Sequence, residues 1–81
     1  MSVDIEDFEW DEYNVSHLQH AHPNIPLDLL EDIVTEAKRY YTLGSDRCGK
    51  RVYGAARGKL LVLFNLKPGR IARIFSVHEV K

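Results

Sequence analysis

The chain has 81 residues, of which 44% are hydrophobic and 28% charged, and this composition excludes a chain that is disordered throughout. This length predicts a single domain over residues 1–81, and no apolar run approaches the ~20 residues that a membrane-spanning helix needs. The one cysteine, Cys48, cannot form an internal disulfide, and the acidic N-terminus does not resemble a secretory signal, so we expect a cytoplasmic protein.

The charges are divided along the chain far more sharply than their sum suggests. The net formal charge is −1, yet residues 1–37 contain ten acids and no Lys or Arg. Residues 38–81 contain all eleven bases and only two acids, Asp46 and Glu79. This asymmetry indicates either nucleic-acid binding by the basic half or neutralisation of one half by the other within the fold.

Two amphipathic helices are predicted in the acidic half, after an edge strand or extended arm over residues 4–10 that places Phe8 and Trp10 at the rim of the core. Asp11 is a favourable N-cap for a short helix over 12–20. Its apolar stripe is Tyr13 (or Val15) with Leu18. A longer helix is predicted over 26–39, because apolar residues recur there at three- and four-residue steps. These are Leu27, Leu30, Ile33, Val34 and Ala37.

The apolar period changes to two in the basic half. Strands are predicted over residues 40–43, 50–56, 59–66 and 70–77, with Lys67-Pro68-Gly69 as a turn signal. The run over 60–64 is apolar on both sides and predicts a central strand. We therefore expect an α+β fold with two N-terminal helices on one face of a three- to four-stranded antiparallel sheet, the other face being exposed.

This architecture would place basic and aromatic residues together on the exposed face. Alternation puts Arg51 with Tyr53 on one face of their strand, and it puts Arg73 with Phe75 and Val77 on one face of theirs. Such a surface is typical of RNA recognition, in which cations follow the phosphates and rings stack on unpaired bases. The alternatives are surface arginines that pair with the acidic arm, or an arm that folds over the sheet and masks RNA binding by imitating phosphate.

Several segments, taken in order, resemble the BrnT family of small bacterial toxins. They are Glu9-Trp10-Asp11-Glu12-Tyr13-Asn14 with His17-Leu18, Tyr53-Gly54, Arg57-Gly58-Lys59-Leu60-Leu61-Val62, Gly69-Arg70-Ile71 and Arg73-Ile74-Phe75-Ser76. The resemblance covers residues 8–78 approximately. It implies a RelE-like fold, ribonuclease activity on RNA, and neutralisation by a BrnA-type antitoxin protein encoded alongside.

The chain departs from the family pattern at two expected catalytic positions. Gly49 occupies the position of a family arginine, for which Arg51 or Arg47 could substitute, and His78 occupies the position of another. The family's C-terminal helix has no counterpart in this sequence.

A metal-independent ribonuclease must deprotonate the 2′-hydroxyl, stabilise charge on the phosphate and protonate the leaving oxygen. Arg51 and Arg73 are the predicted phosphate ligands, because a guanidinium can bind two phosphate oxygens at once. His78 is the predicted proton-transfer group, although a bulge or the end of the strand is needed for Arg73 and His78 to reach one phosphate. The predicted RNA-binding residues are Tyr53, Arg57, Lys59 and Arg70.

No metal or other cofactor is predicted. His17, His20, His22 and Cys48 lack the paired ligand spacing of a structural zinc site. We expect His17 to be packed between helix and sheet, and His20 and His22 to face solvent. The alternative function is a catalytically inactive domain of the same fold that binds RNA or a protein. The sequence does not indicate an oligomeric state.

Overall fold

The structure is a computed structural model that describes residues 5–37 and 40–79. Its elements in chain order are β1 (Asp7–Phe8), α1 (Glu12–Ala21), α2 (Leu27–Glu36), β2 (Tyr41–Ser45), β3 (Arg51–Arg57), β4 (Leu60–Lys67) and β5 (Ile71–Glu79). The predicted α+β class with two helices is confirmed. Asp4, Lys38 and Arg39, which belonged to the predicted arm and second helix, lie outside the described residues.

The sheet has five strands in the order β1-β5-β4-β3-β2. Strands β2 to β5 form an antiparallel meander, whereas β1 pairs parallel to β5. Main-chain hydrogen bonds from Glu6 N to Arg70 O (3.0 Å) and from Glu9 N to Ala72 O (2.9 Å) flank this short parallel pair. The prediction of three or four antiparallel strands is therefore corrected to a mixed sheet, because the acidic arm docks as a fifth strand.

Both helices cover the same face of the sheet. Residues paired across β3, β4 and β5 point to one side together, and the row through Ala55, Val62 and Val77 is buried against the helices. The buried core consists of Leu18, Leu30, Ile33, Val34, Ala55, Val62, Phe64, Ala72, Ile74 and Val77. Phe8 and Trp10 pack against this core, as predicted, and the Trp10 indole N–H donates to Glu31 at 2.7 Å.

Helix α1 begins at a capping box. The Asp11 carboxylate accepts from the backbone N–H groups of Tyr13 (2.9 Å) and Asn14 (3.1 Å), while the Asn14 side chain accepts from the Asp11 N–H (2.7 Å). The prediction that Tyr13 belongs to the apolar stripe of α1 is wrong, because Tyr13 is 83% exposed. Asn14 is buried instead, and its amide also donates to the Glu9 carbonyl (2.8 Å) and the Ile74 carbonyl (3.1 Å). This side chain joins the arm, α1 and β5.

Helix α2 is shorter than predicted. Pro26 is its N-cap rather than its first turn, and the helix ends at Glu36 because Ala37 adopts an extended backbone. Its apolar face is as predicted, with Leu30, Ile33 and Val34 fully buried.

Strand β5 contains a bulge that the strict alternation did not anticipate. Leu63 pairs with Ser76, but its neighbour Phe64 pairs with Ile74, so Phe75 is the extra residue. After the bulge, Val77 rather than Ser76 points into the core, where Val77 is 3% exposed. The predicted grouping of Val77 with Arg73 on one face is therefore wrong.

Candidate binding surface on the open face of the sheet

The face of the sheet opposite the helices is called the open face here. Cross-strand register assigns three rows of side chains to it, because directly paired residues share a face. These rows are Val52-Asn65-Arg73, Gly54-Leu63-Ser76 and Ala56-Leu61-His78.

Arg51 and Arg73 do not share a face. Arg73 lies on the open face, in register with Asn65. Arg51 alternates with Tyr53 and Ala55, whose side chains point toward the helices, so it lies at the exposed end of the other face. The prediction that both guanidiniums line one surface is wrong, because Tyr53 is oriented inward by its stacking on Phe64 at 5.8 Å between ring centroids.

Arg73 is bound by carboxylates of the chain itself. Its guanidinium donates to Glu9 at 2.9 Å and to both carboxylate oxygens of Asp11, while Lys67 donates to Glu9 at 2.6 Å. We call Glu9, Asp11, Lys67 and Arg73 the Arg73 cluster. The Arg73 side chain is only 23% exposed. Of the alternatives that the sequence left open, neutralisation within the fold therefore describes this arginine.

The ionisation of the Arg73 cluster follows from these contacts. A hydrogen bond from Lys67 is the largest cause that lowers the pKa of Glu9, with Arg73 adding to it. The hydrogen bond from Arg73 is the largest cause that lowers the pKa of Asp11, and the backbone N–H of Asn14 contributes further. In return, Asp11 above all raises the pKa of Arg73. The cluster is held ionised and paired at neutral pH.

These shifts predict a loss of stability in acid. Because the folded-state pKa values of Glu9 and Asp11 lie below their ordinary values of 4.5 and 3.8, the stabilisation is present above those ordinary values and is lost as the pH falls through the folded-state values. We expect Arg73→Gln to flatten the fall in the free energy of unfolding below about pH 5. Urea unfolding at a series of pH values measures this, and Arg70→Gln, which removes a more exposed pair with Glu6 at 3.5 Å, is the control. Equal slopes for Arg73→Gln and the unmodified protein would contradict the assignment.

The acidic arm is part of the fold and not a removable mask. Besides the two main-chain hydrogen bonds that flank the β1–β5 pair, the arm is held by Asn14, which donates to the Glu9 carbonyl, and by the packing of Phe8 and Trp10 on the core. Lifting the arm off Arg73 would expose the buried parts of both aromatic side chains, and each would lose part of the about 1.5–3 kcal/mol that complete burial of such a side chain provides. The masking hypothesis for the arm is therefore disfavoured.

The bulge at Phe75 places His78 on the open face with Arg73. A bulge in this strand was one of the two ways in which the sequence analysis allowed these residues to share a face. The two residues are nevertheless far apart along the sheet. Arg73 is in register with Asn65 and His78 with Leu61. Four residues of a strand span roughly 13 Å. The hydrogen-bond neighbour of the His78 ring is Ser76, with Oγ and Nε2 3.3 Å apart. The predicted catalytic residues Arg51, Arg73 and His78 are not brought to one point.

The predicted RNA-binding residues are scattered in the same way. Arg57 forms an ion pair with Glu36 of α2, and Arg70 pairs with Glu6 of the arm. Tyr53 is half-buried with its ring on Phe64, whereas Lys59 is exposed in the turn between β3 and β4. These four residues form no continuous surface.

An apolar cluster occupies the middle of the open face, and the sequence analysis missed it. Gly54 lies at its base: a Cβ there would be 3.0 Å from a methyl of Leu43, 3.2 Å from one of Leu61 and 3.6 Å from one of Leu63. Leu43 is 48% exposed, and Tyr41 beside it on β2 is 46% exposed. We call Tyr41, Leu43, Leu61 and Leu63 the leucine patch. The sequence did carry a signal for the leucine patch. Residues 60–64 are all apolar, so Leu61 and Leu63 must lie on the face opposite the core residues Val62 and Phe64.

The remaining candidates are dispersed. His17 and His20 are exposed on α1, so the prediction that His17 is packed against the sheet is wrong, and His22 is half-buried at the end of the helix. Cys48 is exposed in the turn after β2. Across residues 5–37 and 40–79, no three His, Cys, Asp or Glu side chains are placed to hold a metal ion. Within the same residues, neither helix has the length and apolar character to cross a membrane.

Comparison with known proteins adds no identification. No protein-family model, no curated protein and no solved structure matches the chain. The resemblance to the BrnT family therefore stays a prediction from the sequence motifs.

Proposed function

We propose that this chain is a non-catalytic binding domain whose open face takes a protein partner. The observation that carries the proposal is the occupation of Arg73 by Glu9 and Asp11, together with a leucine patch in which Tyr41 and Leu43 are about half exposed. The first removes the strongest candidate for phosphate binding. The second supplies a surface of the kind through which proteins associate.

Ribonuclease chemistry finds little support in this arrangement. A phosphate would have to displace two carboxylates from Arg73, and each displaced carboxylate would then repel it at close range. Arg51 lies on the other face, and His78 is roughly 13 Å along the strand from Arg73, too far for a shared contact on one phosphate. The implied ribonuclease activity, RelE-like topology and BrnA-type antitoxin stay predictions of the resemblance, and the proposal requires none of them.

A protein partner is favoured over RNA by the chemistry of the open face. RNA-binding sheets present aromatic rings for stacking and cations along the strand path. Here Tyr53 stacks inside the protein, and the leucine patch presents one ring, that of Tyr41, beside the aliphatic side chains of Leu43, Leu61 and Leu63. Aliphatic side chains bury well against another protein but offer no planar surface for a base.

The proposal predicts that the purified protein does not cut RNA. A labelled single-stranded RNA would be incubated with the protein in EDTA, and both its length and its fluorescence anisotropy would be followed. We expect intact RNA, and the same low anisotropy with the unmodified protein as with Arg73→Ala and His78→Ala. Circular dichroism of each protein serves as the folding control. Cleavage that persists in EDTA and is abolished in the Arg73 variant would overturn the proposal in favour of the ribonuclease.

A further inference from the structure

The outer edge of β2 is an unpaired strand edge. In the described sheet, β2 is the last strand and pairs only with β3, and all five of its residues are exposed. Its sequence, Tyr-Thr-Leu-Gly-Ser, contains neither a charged residue nor a proline, the devices that commonly protect such edges. A register shift between Thr42 and Ser45 and the positive φ of Gly44 distort its second half. Residues 41–43 are thus the regular stretch available for pairing.

The leucine patch continues to this edge. The Leu43 side chain, on β2, lies over Gly54 of β3, and Tyr41 is in register with Gly54 on the same face. A strand added outside β2 would place alternate side chains beside Tyr41 and Leu43, at the usual cross-strand spacing of about 5 Å. Apolar residues at those positions would cover side chains that are now about half exposed.

The end of β2 carries a net positive charge, because three bases there are accompanied by one acid. Arg47, Lys50 and Arg51 are exposed, and none of them forms an ion pair within residues 5–37 and 40–79. Asp46, the acid of this turn, accepts from the backbone N–H groups of Cys48 and Lys50 at 2.9 Å each. The bases of β4 and β5 differ, because Lys67, Arg70 and Arg73 are each paired with an acid of the arm.

We propose that an extended segment of a partner protein adds to β2 as a sixth strand, with alternating apolar residues on the open face and acidic residues beside Arg47, Lys50 and Arg51. This inference rests on the proposed function as a protein-binding domain and names the chemistry of the partner. The main-chain hydrogen bonds of the edge supply affinity, the leucine patch selects alternate side chains, and the three bases fix which end of the segment is acidic.

A second copy of the chain fits this edge less well. Two-fold self-pairing of β2 would be antiparallel, so the basic turn of one copy would face the beginning of β2 in the other. Tyr40 and Tyr41 stand there, and neither supplies a carboxylate. Arg47, Lys50 and Arg51 would stay without counter-charges in both copies. A partner with its own acids satisfies what self-association leaves unmatched.

Amide NMR with synthetic peptides tests the inference on the intact protein. The probes are a small set of nine-residue peptides. Five positions alternate between an apolar residue (Val, Ile, Leu or Tyr) and Thr, and Asp and Glu residues are placed at either the N-terminal or the C-terminal end. We expect one orientation to shift and protect the amide signals of residues 41–45 and to lose at least about tenfold in affinity with Arg47→Glu/Lys50→Glu. Gln19→Glu, which adds negative charge on α1, should leave binding unchanged. Peptides with lysine ends, or with alternate backbone amides methylated, should not bind.

The outcomes separate this inference from the proposed function. Absence of shifts at residues 41–45 with every acid-ended peptide, in protein that is folded by its own spectrum, overturns the sixth strand and leaves the non-catalytic domain standing. Concentration-dependent shifts at β2 without any peptide would assign the edge to a second copy instead. Binding of a 20-nucleotide RNA at the basic turn, with no peptide binding, would contradict both proposals.

Discussion

Replacing Phe64 by alanine is expected to lower the stability of this domain by several kcal/mol. Phe64 is fully buried in β4, with the rings of Tyr40 and Tyr53 at 5.6 and 5.8 Å. Deleting a buried phenylalanine costs about 3–5 kcal/mol, through lost burial and the cavity that remains. A domain of this length has a free energy of unfolding of roughly 4–12 kcal/mol, so the loss amounts to about a quarter of the total or more and should clearly lower the urea midpoint.

Urea unfolding followed by circular dichroism measures the effect of Phe64→Ala. Leu43→Ala is the matched control, because Leu43 is apolar but 48% exposed on the open face. We expect the control to cost under about 1 kcal/mol. Similar losses for the two variants would mean that the sheet has no dominant core side, and would contradict the assignment of the open face.

Asn14→Leu is expected to be the most damaging polar substitution. The leucine would leave the carbonyls of Glu9 and Ile74 and the N–H of Asp11 without the hydrogen bonds that Asn14 now provides. Unsatisfied groups of this kind cost about 1–3 kcal/mol each, reduced where water can reach them, so we expect a total loss of about 2–4 kcal/mol. The hydrogen bonds of Asn14 to the main chain of Glu9 and Asp11 hold both acids in the Arg73 cluster. The variant should therefore also lose the acid sensitivity of the stability that Glu9 and Asp11 confer.

Asn65→Leu is the control for the Asn14 variant. Asn65 is also buried, at 7% exposure, but its side chain donates one hydrogen bond, to the Arg51 carbonyl at 3.0 Å. We expect about half the loss of Asn14→Leu or less, with the acid sensitivity retained. Thermal unfolding at pH 7 and pH 4 distinguishes the two variants. If Asn14→Leu proved as stable as Asn65→Leu, the joint between arm, helix and sheet would not depend on Asn14.

The helices and the three long strands could be predicted because their signals are local. The spacing of Leu30, Ile33 and Val34 specifies a helix with one buried face, and the two-residue alternation with glycine turns specifies a meander. The bulge at Phe75 could not be predicted from a local signal, because nothing in the sequence of β5 marks where its two-residue alternation is interrupted. The bulge results from the pairing of β5 with β4. Val62 and Phe64 of β4 both face the core and are two residues apart, whereas their partners Val77 and Ile74 in β5 are three residues apart.

The pairing of charges was the part of the site that the sequence could not specify. The division into an acidic and a basic half indicated neutralisation or nucleic-acid binding, but not which base meets which acid. That depends on β1 docking parallel to β5, a contact between residues more than 60 positions apart. Once β1 has docked, Glu9 and Asp11 pair with Lys67 and Arg73, while Arg47, Lys50 and Arg51 at the other edge of the sheet form no ion pair with any described residue.

The position of β1 also bears on how this protein folds as it is synthesised. Strand β5 lies between β1 and β4 in the sheet but is the last of the five described strands to be synthesised. Strand β1 therefore has no partner until residues 71–79 have been made, and closing so long a loop slows folding. Until then Phe8, Trp10 and the helices have only an incomplete sheet to cover, so the nascent chain should gain its native structure late and in one step.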